Sequence, residues 1–280
     1  MNSASTVFPA PAKLNLFLHV VGRRQDGYHL LQTAFRFIDY GDELSFAVRA
    51  DGEIRHTNPL PGVAPENDLS VRAAHALQEE ADCRQGADIS IVKRLPMGGG
   101  LGGGSSDAAT TLIALNRLWG TRLPRARLQQ LALKLGADVP VFVFGRNAFA
   151  EGIGEQLSVL SLPPAWYLIL VPELAVSTTE IFSAVELTRN TNAITIAAFS
   201  VGQGRNDLEP VVCRRYPLVA RHLEWLYRYG DARMTGSGAC VFCAFDSDAE
   251  ARRVHALLPA GMRGFVAQGL DRHPLWREDD

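Results

Sequence analysis

Apolar and polar positions alternate along KLNLFLHV, residues 13–20. Leu14, Leu16, Leu18 and Val20 fall on one side and Lys13, Asn15, Phe17 and His19 on the other, and a period of two predicts a β-strand. The turn-rich GRRQDGYHL follows, and QTAFRFIDYGDELSFAV resumes the strand pattern, with Asp42 placed near a turn. Positions 67–80 predict a helix and DISIVK, 88–93, another strand. After a run of glycines, Ala108, Leu112, Leu115 and Trp119 recur at helical spacing, and Gly120 marks the stop. A second helix is expected over 124–135, with Gly136 behind it, and ADVPVFVFG then reads as an apolar strand. LSVLSLPP, 157–164, is the candidate boundary between a domain of residues 1–157 and one of residues 158–280. Beyond it, WYLILVP predicts a buried strand, 178–187 and 217–229 helices, and ACVFCAF a strand. Ser247 with Glu250 forms a capping box, and GFVAQGL closes the pattern as a last strand. Strands and helices mix without strict alternation, which predicts the α+β class rather than a doubly wound sheet.

The bulk numbers narrow the function classes. With 47% hydrophobic and 21% charged residues in 280, the chain has the balance of a soluble globular protein. A net charge of −2 points to neither nucleic acid nor an acidic membrane as partner. No apolar run reaches the length of a bilayer span, and MNSASTVFPAPAK lacks the pattern of a signal peptide, so the expectation is a cytoplasmic protein. Cys240 and Cys243 form a CxxC, but no second pair supplies the remaining ligands of a zinc site, and both read as core cysteines on a strand. Lysine is rare, at Lys13, Lys93 and Lys134 in a chain that otherwise uses arginine.

LPMGGGLGGGSSDAA, residues 95–109, has six glycines in seven positions. The order is strand, glycine loop, two serines, helix. A helix N-terminus presents unpaired N–H groups, and a loop without Cβ atoms lets successive N–H groups curl around phosphate oxygens. The stretch therefore reads as a nucleotide-phosphate cradle in which Ser105 and Ser106 add hydroxyls. It is not a Walker loop, because Gly104 stands where that motif needs lysine, and it lacks the βαβ context of a dinucleotide fingerprint. A flexible linker is the plain alternative. Phosphoryl transfer to a hydroxyl also asks for a carboxylate and a cation. Asp138, at a helix–strand junction, and Lys13, sharing a strand face with Asn15, are the candidates, although a turn aspartate and a solvated lysine would look the same.

Three segments together resemble the GHMP kinase superfamily: PAKLNLFLHVVGRRQDGYH, LPMGGGLGGGSSDAA and MTGSGACVF, in matching order across essentially the whole chain. DGYH, LGADVPVF, FAEGIGE and NDLEP bring the resemblance nearest to the branch whose acceptor is a cytidine-diphosphate-linked methylerythritol, in the non-mevalonate isoprenoid pathway. The resemblance implies an N-terminal domain like the second domain of ribosomal protein S5, a C-terminal α+β sandwich, and an active site in the cleft between them. It implies ATP with Mg²⁺, and transfer to the 2-hydroxyl of that small-molecule substrate. Its catalytic pair falls on Lys13 and Asp138. ATP would lie against Pro96, Met97, Gly98, Gly99, Gly100, Leu101 and Gly102, and on through Gly103, Gly104, Ser105 and Ser106. Lys93 and the segment 67–74 would line the adenine side, where Asp68 stands in place of the customary asparagine. Asn15 matches a contact to the erythritol. Tyr28 and His29 match a cytosine-recognition pair, with Phe182 over the base's other face. Gly236, Ser237 and Gly238 match a loop closing over the phosphates, or else form a plain hairpin turn. Ser105 and Asp107 are considered as metal ligands, with none assigned. A homoserine- or mevalonate-type kinase, and a non-catalytic nucleotide-binding protein on the same scaffold, are the alternatives. The chain is expected to act as a monomer or homodimer.

Overall fold

The computed structural model describes residues 6–200 and 202–277. Residues 1–5, part of the stretch read above for a leader, lie outside them. The first half runs β1 (Val7–Arg23), β2 (His29–Arg49), β3 (Ile54–His56), α1 (Leu69–Glu80), β4 (Gly86–Val92), α2 (Gly103–Leu118), α3 (Arg125–Leu135), α4 (Val139–Phe144), β5 (Ala148–Glu151) and β6 (Gln156–Val159). The second runs β7 (Trp166–Leu170), α5 (Thr178–Ser183), α6 (Ile196–Ser200), α7 (Glu209–Arg215), α8 (Pro217–Tyr227), β8 (Ala232–Met234), β9 (Val241–Phe245), α9 (Asp248–His255) and β10 (Gly264–Leu270).

Among the described residues, ten strands form one open sheet whose main path is β3-β4-β2-β10-β7-β9-β8, with β1 and the β5–β6 hairpin on β2. All pairings between these strands are antiparallel except β3 with β4. The α+β expectation holds. β10 joins the halves, pairing with β7 along Gly264–Gln268 and with β2 at Gly269 and Leu270. Positions 157 and 158 lie inside β6, and the sheet continues from one half to the other.

Two apolar cores explain the two halves. One gathers Leu112 and Leu115 of α2, Leu128 of α3, Val141 and Phe142 of α4 and Ile89 of β4. The other packs Ile181, Val212, Leu223 and Val254 of the later helices against Leu168, Leu170 and Val241. A third cluster lies at the seam. There Leu95 and Leu101, flanking and interrupting the glycine run, bury against Leu14 of β1, Ile169 of β7 and Phe242 of β9. The glycine loop is thus pinned by its leucines at the junction of the halves.

Two elements depart from the pattern reading. VPVFVF is the short helix α4, not a strand. All but the last of its residues are buried, so no polar face sets a period, and Pro140 suits a helix start. Asp42 is not at a turn: β2 runs through it, and its side chain is buried. β1 is buried on both faces, since Lys13, Asn15, Phe17 and His19 are as covered as the leucines opposite them. The four cysteines are free thiols, with Cys240 and Cys243 in the core as expected.

Candidate active site

A cavity of about 560 Å³ opens at the seam. Its walls come from β1, the glycine loop, the starts of α1 and α2, the turn before α4, α5 and the loop between β8 and β9.

At its floor, the Lys13 ammonium is 3.1 Å from Asp138 Oδ2. It also donates to Asn15 Oδ1 at 2.5 Å and to Gly100 O at 3.1 Å. Lys13 is 2% exposed and Asp138 41%, so the cation is sealed in while the carboxylate faces the cavity. Asp138 occupies the N-cap of α4 without spending its side chain on the cap, which leaves the carboxylate to Lys13 and to whatever enters. The backbone N–H of Lys13 donates to Leu101 O at 3.0 Å, tying the strand to the glycine loop.

Gly98, Gly100 and Gly102 have φ of 68°, 77° and 74°. A Cβ on Gly100 would stand 2.3 Å from Thr235 O, and one on Gly102 would meet Lys13 Cε and Phe142 Cζ at 3.0 Å. Here glycine is required by close approach as well as by the positive φ. Pro96, Met97, Gly98 to Gly104 and Ser105 all border the cavity. Ser106 does not: its hydroxyl donates to Pro11 O at 2.7 Å and is fully buried. It fastens α2 to β1, because one turn into the helix its position points at the sheet.

Lys93 borders the cavity, but its ammonium is held between Asp107 Oδ2 at 2.7 Å and Asp42 Oδ2 at 2.5 Å. Asp42 Oδ1 also accepts the N–H groups of Arg94 and Leu95, at 2.6 and 2.8 Å, and so anchors the start of the glycine loop. Burial raises the Asp107 carboxyl to about 7, with Lys93 pulling it back and Asp42 adding to the rise. On the same wall Asn67, Asp68, Leu69 and Ser70 border the cavity, while Ala73 and Ala74 are core. Asp68 caps α1 by accepting from Ser70 N–H at 2.9 Å, and its other oxygen lies 2.5 Å from His56 Nδ1. An aspartate at this position is therefore placed by capping and by its histidine partner.

The third motif closes the opposite side. Gly236 and Ser237 border the cavity, and the Ser237 hydroxyl lies 2.7 Å from that of Thr178 at the start of α5. Gly238 turns away, toward Met234 and Val212. Asn206 Nδ2 donates to Met234 O and Gly236 O, at 2.9 and 2.8 Å. Thr235 Oγ1 accepts Asn15 N–H at 2.9 Å. Asn206 stands in the NDLEP segment, whose spacing alone assigned it no role.

Phe182 borders the cavity, and its ring centroid lies 5.0 Å from that of His29. Burial, and then the charges of Arg189 and Arg23, hold the His29 imidazole below its usual range. Tyr28, 60% exposed, and His29 do not themselves border the cavity; His29 lies behind the Phe182 ring that does. The sequence therefore brought together Lys13, Asn15, Asp138, the glycine loop, Gly236 and Ser237 in one place. It missed Asp42, Thr33, Thr178, Asn206 and Arg189, whose partners lie far along the chain.

A sealed lysine paired with an open carboxylate, under a loop whose close approaches require glycine, can orient a hydroxyl group against a held phosphate. The sequence matches the GHMP kinases N terminal domain over residues 68–146 and the GHMP kinases C terminal domain over 184–263. The chain belongs to the GHMP kinase family. It is 65% identical over 270 residues to the 4-diphosphocytidyl-2-C-methyl-D-erythritol kinase of Nitrosospira multiformis, covering 95% of this chain and 92% of that one. It is 63% identical to the enzyme of the same name from Thiobacillus denitrificans, covering 97% and 98%. A crystal structure of a 4-(cytidine 5'-diphospho)-2C-methyl-D-erythritol kinase, 34% identical, superposes with a TM-score of 0.82 over 94% of this chain and 99% of that one.

Proposed function

We propose that the chain transfers the γ-phosphoryl group of ATP to the 2-hydroxyl of 4-diphosphocytidyl-2-C-methyl-D-erythritol. The observation that carries the reading is the Lys13–Asp138 pair at the cavity floor, 3.1 Å apart, below the glycine loop. The acceptor hydroxyl would lie against Asp138. The carboxylate orients it and accepts its proton as the phosphorus–oxygen bond forms, while Lys13 offsets the negative charge that gathers there. ADP leaves with the electrons of the broken bond. Backbone N–H groups of the glycine loop, with the Ser105 hydroxyl, would hold the phosphates, and Gly236 and Ser237 would cover them. The cytidine would extend past Asn15 toward Tyr28, His29 and Phe182.

Mg²⁺ fits the donor set as an ion held largely by phosphate oxygens and water. Among the described residues no group of three His, Cys, Asp or Glu side chains could hold a metal, and Mg²⁺ commonly takes few protein ligands. Ser105 and Asp107 both border the cavity and would be the oxygens to reach it, Asp107 through Oδ1, which has no hydrogen-bond partner, while Lys93 engages Oδ2. Bound there, the ion would neutralise charge on the transferring group.

Asp138→Asn is expected to cut kcat by about 10²- to 10⁴-fold, the usual span for a positioned proton acceptor, with little change in KM for ATP. Steady-state ADP release with the cytidine substrate, and with homoserine and mevalonate in parallel, measures this. Near-normal turnover would remove Asp138 from its role, and product only with another alcohol would overturn the acceptor.

A further inference from the structure

Arg189 lies in the loop after α5, and its guanidinium is engaged on every nitrogen. Nη1 donates to Leu187 O at 3.0 Å. Nη2 donates to Phe182 O at 3.0 Å and Ala184 O at 2.6 Å, carbonyls at the end of α5 that helical N–H groups no longer reach. Nε donates to Nε2 of His29 at 3.1 Å. One side chain therefore ties the C-terminal end of α5, which carries the cavity-lining Phe182, to His29 at the start of β2.

A guanidinium has five donors and no acceptor. His29 Nε2 must accept, so the single proton of a neutral imidazole sits on Nδ1, the ring nitrogen left for a ligand. The two ring nitrogens thereby carry fixed and opposite roles. A donor at Nδ1 directed at N3 suits cytosine, whose N3 accepts; O2 accepts in both bases and does not distinguish them. Uracil carries a proton on N3 and would set donor against donor. With the proton on Nε2 the preference would invert.

We propose that Arg189 is a positioning residue that locks His29 in its Nδ1–H form and couples it to Phe182, so that this end of the cleft selects cytosine over uracil. The proposal rests on the reading that the base docks beside Tyr28 and His29. A donor enclosed by the bound base and left facing another donor costs more than a lost contact, and that is the physical basis of such selection.

The test combines ¹⁵N NMR of the histidine rings with kinetics. In the unaltered protein His29 is expected to carry its neutral-form proton on Nδ1. In Arg189→Met the Nε2–H form should appear, and the His29 titration should move upward as one of its two neighbouring positive charges is lost while Arg23 remains. KM for the cytidine substrate should rise about tenfold, the worth of one charge-assisted hydrogen bond. Preference over the uridine-diphosphate analogue should fall, with kcat and KM for ATP unchanged. Arg189→Lys, keeping the charge and a donor, should recover part of both. A proton on Nε2 in the unaltered protein overturns the proposal even if the variants fail to fold. So does Arg189→Met with unchanged tautomer and unchanged base preference. If His29→Ala leaves KM for the cytidine substrate unaltered while the Nδ1 proton is present, the docking of cytosine is what fails, and the selectivity falls with it.

Discussion

At the scale of single residues, the site depends on a chain of hydrogen bonds in which each donor's choice fixes the next. Thr33 gives its one hydroxyl proton to Phe17 O. Its oxygen then accepts from Asn15 Nδ2 at 2.9 Å, which turns Asn15 Oδ1 toward the Lys13 ammonium. A reversed amide would set NH₂ groups against a buried cation. Thr33→Val keeps the shape and removes the hydroxyl, leaving a buried donor and acceptor unpaired at a cost of about 1–3 kcal/mol. We expect a lower melting temperature, a kcat reduced at least several-fold at nearly constant KM for ATP, and recovery with Thr33→Ser. Equal activity in the valine variant would show that Asn15 holds its orientation unaided. Lys13 and Asn15 could be read from strand alternation. Thr33 could not, because the pairing of β1 with β2 brings it near and no local pattern announces it.

At the scale of elements, the glycine loop is a docked structure, and its conformation follows from what it touches. Gly100 fits against Thr235 O, and Thr235 Oγ1 in turn donates to Gly100 O at 3.3 Å. Gly100→Ala should push the loop and the third motif apart, raising KM for ATP and lowering kcat. Gly120→Ala is the control: its φ is 66° with nothing within 4 Å of a Cβ. It should cost only the strain of a left-handed residue, about 1–2 kcal/mol in a thermal melt, with ATP kinetics unaltered. Equal effects at the two positions would mean that backbone strain, not docking, explains Gly100. Helix α2 was predictable because its apolar stripe repeats at helical spacing. Helix α4 was not, because burial on all sides erases the period that separates helix from strand.

At the scale of the whole molecule, the chain after β10 returns to the first half and buries His273 against it. His273 N–H donates to Gly145 O at 2.9 Å, Nδ1 accepts Leu275 N–H at 3.1 Å, and Nε2 has no partner. Burial, and then the charges of Arg117 and Arg125, lower its pKa from 6.5 to about 3. Between those values the unfolded chain binds a proton that the folded one refuses. The contribution to stability is therefore complete above pH 6.5 and is lost as pH falls toward 3. His273→Gln should flatten the acid side of the melting-temperature profile between pH 6.5 and 4. A profile as steep as that of the unaltered protein would assign the loss to other groups.

The sequence by itself determined the α+β class, most of the strands and helices, the glycine cradle and the pairing of Lys13 with Asp138 as the candidate chemistry. The elements and the glycine loop rest on local spacing, whereas Lys13 and Asp138 stand out through the resemblance of the motifs around them, since spacing alone leaves a solvated lysine and a turn aspartate open. Only the tertiary structure decided that Ser106 faces the sheet, that Lys93 is held by Asp42 and Asp107, and that Arg189 reaches His29. Those outcomes depend on which distant segments share a sheet register or a helix end, and a buried polar group takes whatever partner the packed chain brings within reach.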